Sequence, residues 1–487
     1  MRADALKQRL TGTGLLVQWP DGATVPELAA VATDSRRVGV GTLFAAYQGS
    51  VSDGHAFVAA AVQGGAAAAM VEHELPGIAV PQIVVRDGRL AAGAAAALFH
   101  GDPASALDLL AVTGTNGKTT TVALLRHLFG DGAPAGSIGT LGAIDGDGQV
   151  LPGSGALTTP GPVELQAALA ALRDGGVRTV AMEASSHSLD QDRVAGLAFR
   201  AAVFTNLTRD HLDYHGDEAS YLAAKLKLQR YLAPDGVVVY NAADPAWRPL
   251  AERASKLAFG IGVAADVTAD RIDGDAAGMR FTLAVRGTTL KVELPLLGRF
   301  NVENALGAAA AAIALGREPA RVAELLRAAP QVPGRMERLA DRPCVVLRDY
   351  AHTPDALERA LAALRPLTKG RLVVVFGCGG DRDRGKRPAM GGIAGRDADL
   401  PIVTSDNPRT EDPERILDDI EAGMGATPHL RIADRRVAIA RALSIARPDD
   451  TILLAGKGHE TYQVLGTEKV DFDEKVVVAD LLAERPA

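Results

Sequence analysis

The segment Leu109-Leu-Ala-Val-Thr113, followed by Gly114-Thr115-Asn116-Gly117-Lys118-Thr119-Thr120, constrains the fold of this chain more than any other. A short apolar run with the length of a buried strand ends in a glycine loop, and Thr121–Phe129 then takes up helical apolar spacing. A buried strand that leads through a loop into a helix belongs to a parallel sheet covered by helices. The glycines let backbone N–H groups turn toward an anion, and the helix N-terminus adds partial positive charge. The loop therefore reads as a phosphate cradle, with Lys118 neutralising terminal phosphates and Thr119 ligating Mg²⁺. Val112 stands where the usual spacing has a glycine, so the loop is a variant. The alternative is a tight strand–helix turn with an incidental lysine.

The 487 residues suit two to four domains at roughly 100–200 residues each, with three the central expectation. Hydrophobic residues at 47% and charged residues at 23% exclude wholesale disorder. A net charge of −7 argues against a general nucleic-acid or membrane-surface binder, though not against a local basic pocket. The charged start Met1-Arg-Ala-Asp-Ala-Leu-Lys-Gln-Arg lacks the apolar core of a signal peptide, and no apolar run spans a bilayer. Two cysteines, Cys344 and Cys378, make neither a disulfide framework nor a four-cysteine zinc site. A reduced, cytoplasmic, multidomain protein is expected. Aromatics at 4% leave the core to Ala, Val and Leu.

Three stretches differ in texture. Residues 1–86 alternate short apolar segments (Leu43–Ala46, Ala67–Val71, Gln82–Val85) with turns and an Ala-rich helical stretch. Residues 87–334 open with the loop strand and add strand candidates at Arg178–Glu183, Ala201–Thr205 and Gly236–Tyr240. From 335 to the end, strands are expected at Cys344–Arg348, Arg371–Phe376, Leu400–Thr404 and Thr451–Ala455, with helices Asp355–Leu364, Glu414–Met424 and Arg435–Ala446 between them. The fold class is α/β, each stretch forming a helix-covered, mostly parallel sheet. Ala305–Leu315 reads as a buried helix whose small side chains permit close packing.

Further motifs sit at predicted strand ends. Met182-Glu183-Ala-Ser-Ser-His187 places Glu183 where a metal-binding acid belongs beside a phosphate loop, although a strand-end Glu is as readily just solvated. Asp210-His211-Leu-Asp-Tyr-His215-Gly-Asp217 offers two histidines and three aspartates, either as metal ligands or as hydrogen-bonded turn residues. Gly377-Cys-Gly-Gly-Asp381-Arg382-Asp383-Arg384-Gly385-Lys386-Arg387 joins flexible backbone to cations and suits a carboxylate or phosphate. Asp406-Asn407-Pro408-Arg409 sets an acid and an arginine on a proline-stiffened turn, able to hold an ammonium and a carboxylate together; a plain Asx-turn is the alternative. Gly456-Lys-Gly458-His459-Glu460 points another acid into the same crevice. A nucleotide site in one stretch and an amino-acid site in the next suggest ATP-driven amide bond formation.

Together these residues resemble the Mur ligase family, in its diaminopimelate-adding branch. The resemblance runs the length of the chain: Thr33-Asp-Ser-Arg36, Asp53-Gly-His, Gly114–Thr120, Glu183–His187, Asn206–Asp217, Gly298-Arg-Phe-Asn301-Val-Glu-Asn304, Gly334-Arg-Met-Glu337, Asp349-Tyr-Ala-His352-Thr-Pro-Asp355 and the last three motifs. It implies three domains: a UDP-sugar domain (1–86), a central P-loop ATPase (87–334) and a C-terminal Rossmann-like amino-acid domain (335–487) that closes over it. It implies a cytoplasmic monomer of peptidoglycan precursor synthesis that uses ATP and Mg²⁺. Its substrates would be UDP-N-acetylmuramoyl-L-alanyl-D-glutamate and meso-diaminopimelate, joined through an acyl phosphate.

By the same resemblance, Thr33, Ser35 and Ser50-Val51-Ser52 hold the uridine diphosphate end, and Thr158, Thr159, Ser185, Gln191 and Arg193 grip the muramoyl-peptide. Leu157 replaces an asparagine found in some members, so only its backbone could serve there. Lys225 falls at a lysine that the family N-carboxylates, and the resulting carbamate would join Thr119, Glu183 and His211 around Mg²⁺; the alternative is an ordinary lysine on a helix expected over Tyr221–Tyr231. Lys118, Lys225, His211 and Glu183 are the catalytic candidates, Asn304 lies near adenine, and Arg382, Asp406, Asn407, Pro408, Arg409, Gly456 and Glu460 form the diaminopimelate site. The rivals are a folate or poly-glutamate ligase, a lysine-adding sister enzyme lacking the arginine of this turn, and a P-loop switch NTPase. The last would need a base-reading Asn-Lys-x-Asp motif, which the sequence lacks.

Overall fold

The computed structural model describes residues 1–21, 24–49, 52–155 and 157–484. It divides into two compact units, one of residues 1–268 with 304–322, the other of 269–303 with 323–487. Both are α/β, as expected.

The first unit holds two sheets. The smaller takes the order Leu16–Gln18, Gln82–Val85, Ala66–Val71, Thr42–Ala45, Ala30–Ala32, parallel except for its first strand. Helix Gly88–Phe99, capped by the Asp87 carboxylate on the Leu90 N–H, buries Ala91, Ala92, Ala95 and Ala96 with Leu6, Leu43 and Met70. In the larger sheet the loop strand, Asp108–Thr113, lies between Phe199–Phe204 and Thr179–Glu183, all parallel. Val112 pairs with Glu183 and Thr113 with Phe204, so three chain segments leave the sheet side by side at its carboxyl edge. Leu109, Ala111, Met182, Phe199 and Phe204 pack beneath them, with Phe204 against Trp247 at 5.3 Å between ring centroids.

The second unit contains an antiparallel hairpin, Gly278–Val285 with Thr288–Leu294. Its six-stranded sheet runs Glu337–Ala340, Val345–Asp349, Thr451–Ala455, Leu372–Phe376, Leu400–Val403, Leu430–Arg431, parallel beyond the first pair. Strand Thr451–Ala455 between Val345–Asp349 and Leu372–Phe376 makes a crossover that opens a crevice at the carboxyl ends.

Most expected elements form with ends moved by a few residues. One departs further. The helix expected over Tyr221–Tyr231 starts at Glu218 behind an Asp217 cap, stops at Leu226 and continues as a 3₁₀ turn, Lys227–Tyr231. The helix over Ala305–Leu315 is the later part of Arg299–Ala314, and Ala308–Ala312 are wholly buried.

Candidate active site

The glycine loop of the first unit is tied down before any ligand arrives. Thr115 N–H donates to the Asn206 carbonyl at 2.7 Å and Asn116 N–H to Asn206 Oδ1 at 2.9 Å. Thr205 Oγ1 donates to the Asn116 carbonyl at 2.7 Å, and Thr208 N–H to Thr115 Oγ1 at 2.9 Å. Gly117 caps helix Lys118–Phe129 at φ +84°, and a Cβ there would strike Asn304 Oδ1, which places buried Asn304 against the loop. Lys118 Nζ donates to the carbonyls of Gly114 and Thr115 at 2.9 and 2.7 Å. Thr119 and Thr120 are buried in the first turn.

Lys225 is 1% exposed, and its Nζ donates to the Gly114 carbonyl at 2.8 Å, over the face of Tyr221. Burial, with Lys118 second, holds its pKa well below the usual lysine value, so the neutral amine is favoured. His211 begins the short helix Leu212–His215 and lies edge-on to His187 at 4.8 Å. His187 also meets His215 at 5.5 Å and Tyr214 at 4.2 Å. Burial lowers all three imidazoles, His187 to about 4, which favours the neutral, metal-binding form. Glu183 is 1% exposed and accepts from Thr140, Oε1 from the N–H at 2.8 Å and Oε2 from Oγ1 at 3.2 Å. No group of three or more His, Cys, Asp or Glu among the described residues forms a metal cluster by itself.

Beside this loop the muramoyl-peptide candidates interlock. Thr159 Oγ1 donates to the Glu183 carbonyl at 2.8 Å, Ser185 N–H donates to Thr159 Oγ1 at 3.1 Å, and Arg193 Nη1 reaches the Thr159 carbonyl at 3.1 Å. Arg193 also grips Gln191 Oε1, with Nη2 at 2.7 Å, while Thr158 Oγ1 lies 3.3 Å from Thr140 Oγ1. A cavity of about 610 Å³ is lined by Thr33, Asp34 and Tyr47 on one side and Gly139, Leu157 and Glu164 on the other. A second, of about 560 Å³, is lined by Thr33, Ser35, Gly49 and Ser52. Ser50 and Val51 lie outside the described residues.

The second unit gathers its candidates at the sheet crossover. Asn407 Nδ2 donates to Glu460 Oε2 at 2.9 Å, and Gly456 stands where a Cβ would meet Asp406 Oδ2 at 3.0 Å. Pro408 leads into Arg409, whose φ of +53° is strained for a non-glycine residue and whose Nη1 donates to the Gly380 carbonyl at 2.8 Å. Arg382, exposed, and Arg409 both lie against Gly379. The Asp349 carboxyl, pushed up to about 6 by burial, accepts from Met336 N–H at 2.7 Å.

Several participants were not singled out by sequence reasoning. His187, His215, Asn206 and Thr208 lay inside quoted motifs, but only the fold shows that they meet the loop or one another. Thr140 and Tyr214 carried no signal of their own. Lys457, inside Gly456–Glu460, proves fully buried.

Comparison with known proteins gives the family. The Mur ligase middle domain matches residues 112–312, and the Mur ligase glutamate ligase domain matches 334–458. The UDP-N-acetylmuramoyl-L-alanyl-D-glutamate–2,6-diaminopimelate ligase of Gloeobacter violaceus is 43% identical over 100% of this chain and 99% of its own length. A solved structure of a ligase of that name is 36% identical, with a TM-score of 0.68 over 94% of this chain and 95% of its own. Alike in fold alone is the folylpolyglutamate synthase of Mycobacterium tuberculosis complexed with ADP, at 21% identity and TM-score 0.63 over 82% of this chain and 95% of its own. With relatives of that identity along its whole length and both domain models matched, the chain belongs to the Mur ligase family.

Proposed function

We propose that this chain is an ATP-dependent ligase that joins meso-diaminopimelate to UDP-N-acetylmuramoyl-L-alanyl-D-glutamate, as a cytoplasmic monomer of peptidoglycan precursor synthesis. Residues 1–86 serve the UDP-sugar, 87–334 ATP, and 335–487 the amino acid. The observation that carries the reading is Lys225 Nζ, buried and 2.8 Å from the Gly114 carbonyl inside the phosphate loop. A switch NTPase has no use for a second buried amine there, whereas a ligase activating a carboxylate needs an added anion to hold metal. The Asp406–Arg409 turn, facing Glu460 through Asn407, favours a zwitterionic amino-acid end over lysine.

ATP and the D-glutamyl carboxylate are both anionic, and at ~4 Å their repulsion is strong once water is excluded. Lys118, now on the carbonyls of Gly114 and Thr115, turns to the terminal phosphates and offsets that charge. Thr119, Glu183, neutral His211 and Lys225 as its carbamate fit Mg²⁺, which when bound stabilises charge on the transferring phosphoryl group. The neutral amine of Lys225 is the form that adds CO₂, shedding a proton, and the product is an anionic carbamate beside Lys118. Arg193, Thr159 and Ser185 orient the substrate carboxylate. That carboxylate attacks the γ-phosphorus and ADP leaves; the neutral amine of diaminopimelate then attacks the acyl carbon, phosphate leaves and the amine sheds a proton.

The test is phosphate release with each component omitted in turn. Release should require ATP, the UDP-muramoyl-dipeptide and diaminopimelate together; equal release from ATP alone would refute the reading.

A further inference from the structure

Lys457 follows strand Thr451–Ala455 and is 0% exposed. A buried ammonium persists where acceptors replace its water. Its Nζ donates to Glu460 Oε2 at 3.1 Å and Asn407 Oδ1 at 3.3 Å, and stands 3.7 Å from Asp406 Oδ1. Asn407 is held from both ends, since Nδ2 donates to Glu460 Oε2 at 2.9 Å while Oδ1 also accepts from Val464 N–H at 2.9 Å. Glu460 Oε2 thus takes two donors. Asp406 is 6% exposed, yet its Oδ1 has no hydrogen-bond donor among the described residues. A buried acceptor left bare is costly unless something else fills it. Two carboxylates and one lysine leave one negative charge among these three side chains, and the bare Asp406 Oδ1 is an acceptor that one incoming ammonium would satisfy.

We propose that Lys457 is a positioning residue of the amino-acid site. Its ammonium holds Glu460 and Asn407 in place and neutralises one of the two carboxylates, so that the pocket accepts one ammonium group at Asp406 Oδ1. Lys457 itself does not touch the ligand. This rests on reading Asp406, Asn407 and Glu460 as the amino-acid site.

The experiment compares Lys457→Met, Lys457→Ala and Glu460→Gln in the full chain, with KM measured for diaminopimelate, ATP and the UDP-sugar. Truncating one partner of a buried charge pair should raise the diaminopimelate KM of Lys457→Met at least ~30-fold, with the ATP KM changed less than about twofold. Propylammonium should restore part of the diaminopimelate affinity of Lys457→Ala, a recovery that a merely structural lysine would not give. A parent-like KM in Lys457→Met beside a raised KM in Glu460→Gln overturns the role of the lysine alone. A parent-like KM in both overturns the site reading and the inference together. Should the lysine variants fail to fold, a structure of the unaltered enzyme with diaminopimelate decides. Nζ retained on Glu460 and Asn407, with the ligand ammonium on Asp406, supports the inference, and Nζ bonded to the ligand overturns it.

Discussion

Burial and the neighbouring Lys118 disfavour the charged form of Lys225, and among the described residues its hydrogen bond goes to a carbonyl rather than to an acid. If its carbamate holds metal, Lys225→Ala should lose at least ~10²-fold in turnover and regain part of it with added short-chain carboxylates. Phosphate-release assays with and without propionate check this, and absence of any recovery would count against the carbamate. Lys118→Ala should lose a similar factor while its thermal unfolding stays near the parent's, because a half-buried loop lysine contributes little to stability. Near-parent product formation would sink the phosphate-loop assignment. His459 gives a pH test. Burial, with Arg335 next, pushes its imidazole down to about 4 from an ordinary 6.5. Between those values the unfolded chain binds a proton that the folded chain does not. Stability is therefore fully held above pH 6.5 and lost as pH falls toward 4. Urea unfolding at pH 7 and pH 5 should show an acid loss about 2 kcal/mol smaller in His459→Gln than in the parent, whose other lowered imidazoles, His187 among them, add losses of their own. Equal losses in parent and variant would contradict the assignment.

At the scale of elements, helix Glu218–Leu226 carries Lys225 to the loop, and its start depends on the Asp217 carboxylate accepting from Ser220 N–H at 2.7 Å. Asp217→Ala should cost about 1 kcal/mol and lower activity along with it, measurable by denaturant titration and turnover on one preparation; unchanged stability would mean the cap is idle. This helix also shows where sequence reading stops. Its apolar spacing was legible, but Tyr221–Tyr231 missed the cap because Asp217 sat in a run of equally plausible turn residues. The loop strand and Thr451–Ala455 were legible because buried parallel strands are continuous apolar runs. Hairpin Gly278–Val285 with Thr288–Leu294 went unread although its buried Phe281, Leu283, Val285, Val292 and Leu294 alternate with more exposed residues such as Arg280 and Lys291, because a period-two pattern is a weaker signal than a continuous apolar run. Glu183, His211, Lys225 and Asp406 are candidates that motif and family pattern supply, whereas the burial of Lys457 and the meeting of His187 with His215 arise from strand order. No local spacing encodes those.

Across the whole molecule, the proposed function has one chain activate a carboxylate in its first unit and select an amino acid with its second. Under the proposed function selection falls to Arg409, which sits at φ +53° after the Asp406-Asn-Pro turn and donates to the Gly380 carbonyl. A site built to bind a distal carboxylate rejects an amine lacking it by as much as ~10⁴-fold, because the guanidinium then loses the charge-assisted bonds that the carboxylate would accept. Arg409→Ala should raise the diaminopimelate KM sharply and narrow the gap to lysine, with ATP affinity little changed; an unaltered diaminopimelate-to-lysine ratio places specificity elsewhere. The most direct measurement is competition in the unaltered enzyme, with ATP, the UDP-muramoyl-dipeptide and equal concentrations of meso-diaminopimelate and lysine, and products weighed by mass spectrometry. The account predicts the diaminopimelate tripeptide almost alone. Comparable amounts of the lysine adduct, or no amide product while ATP is consumed, would contradict it.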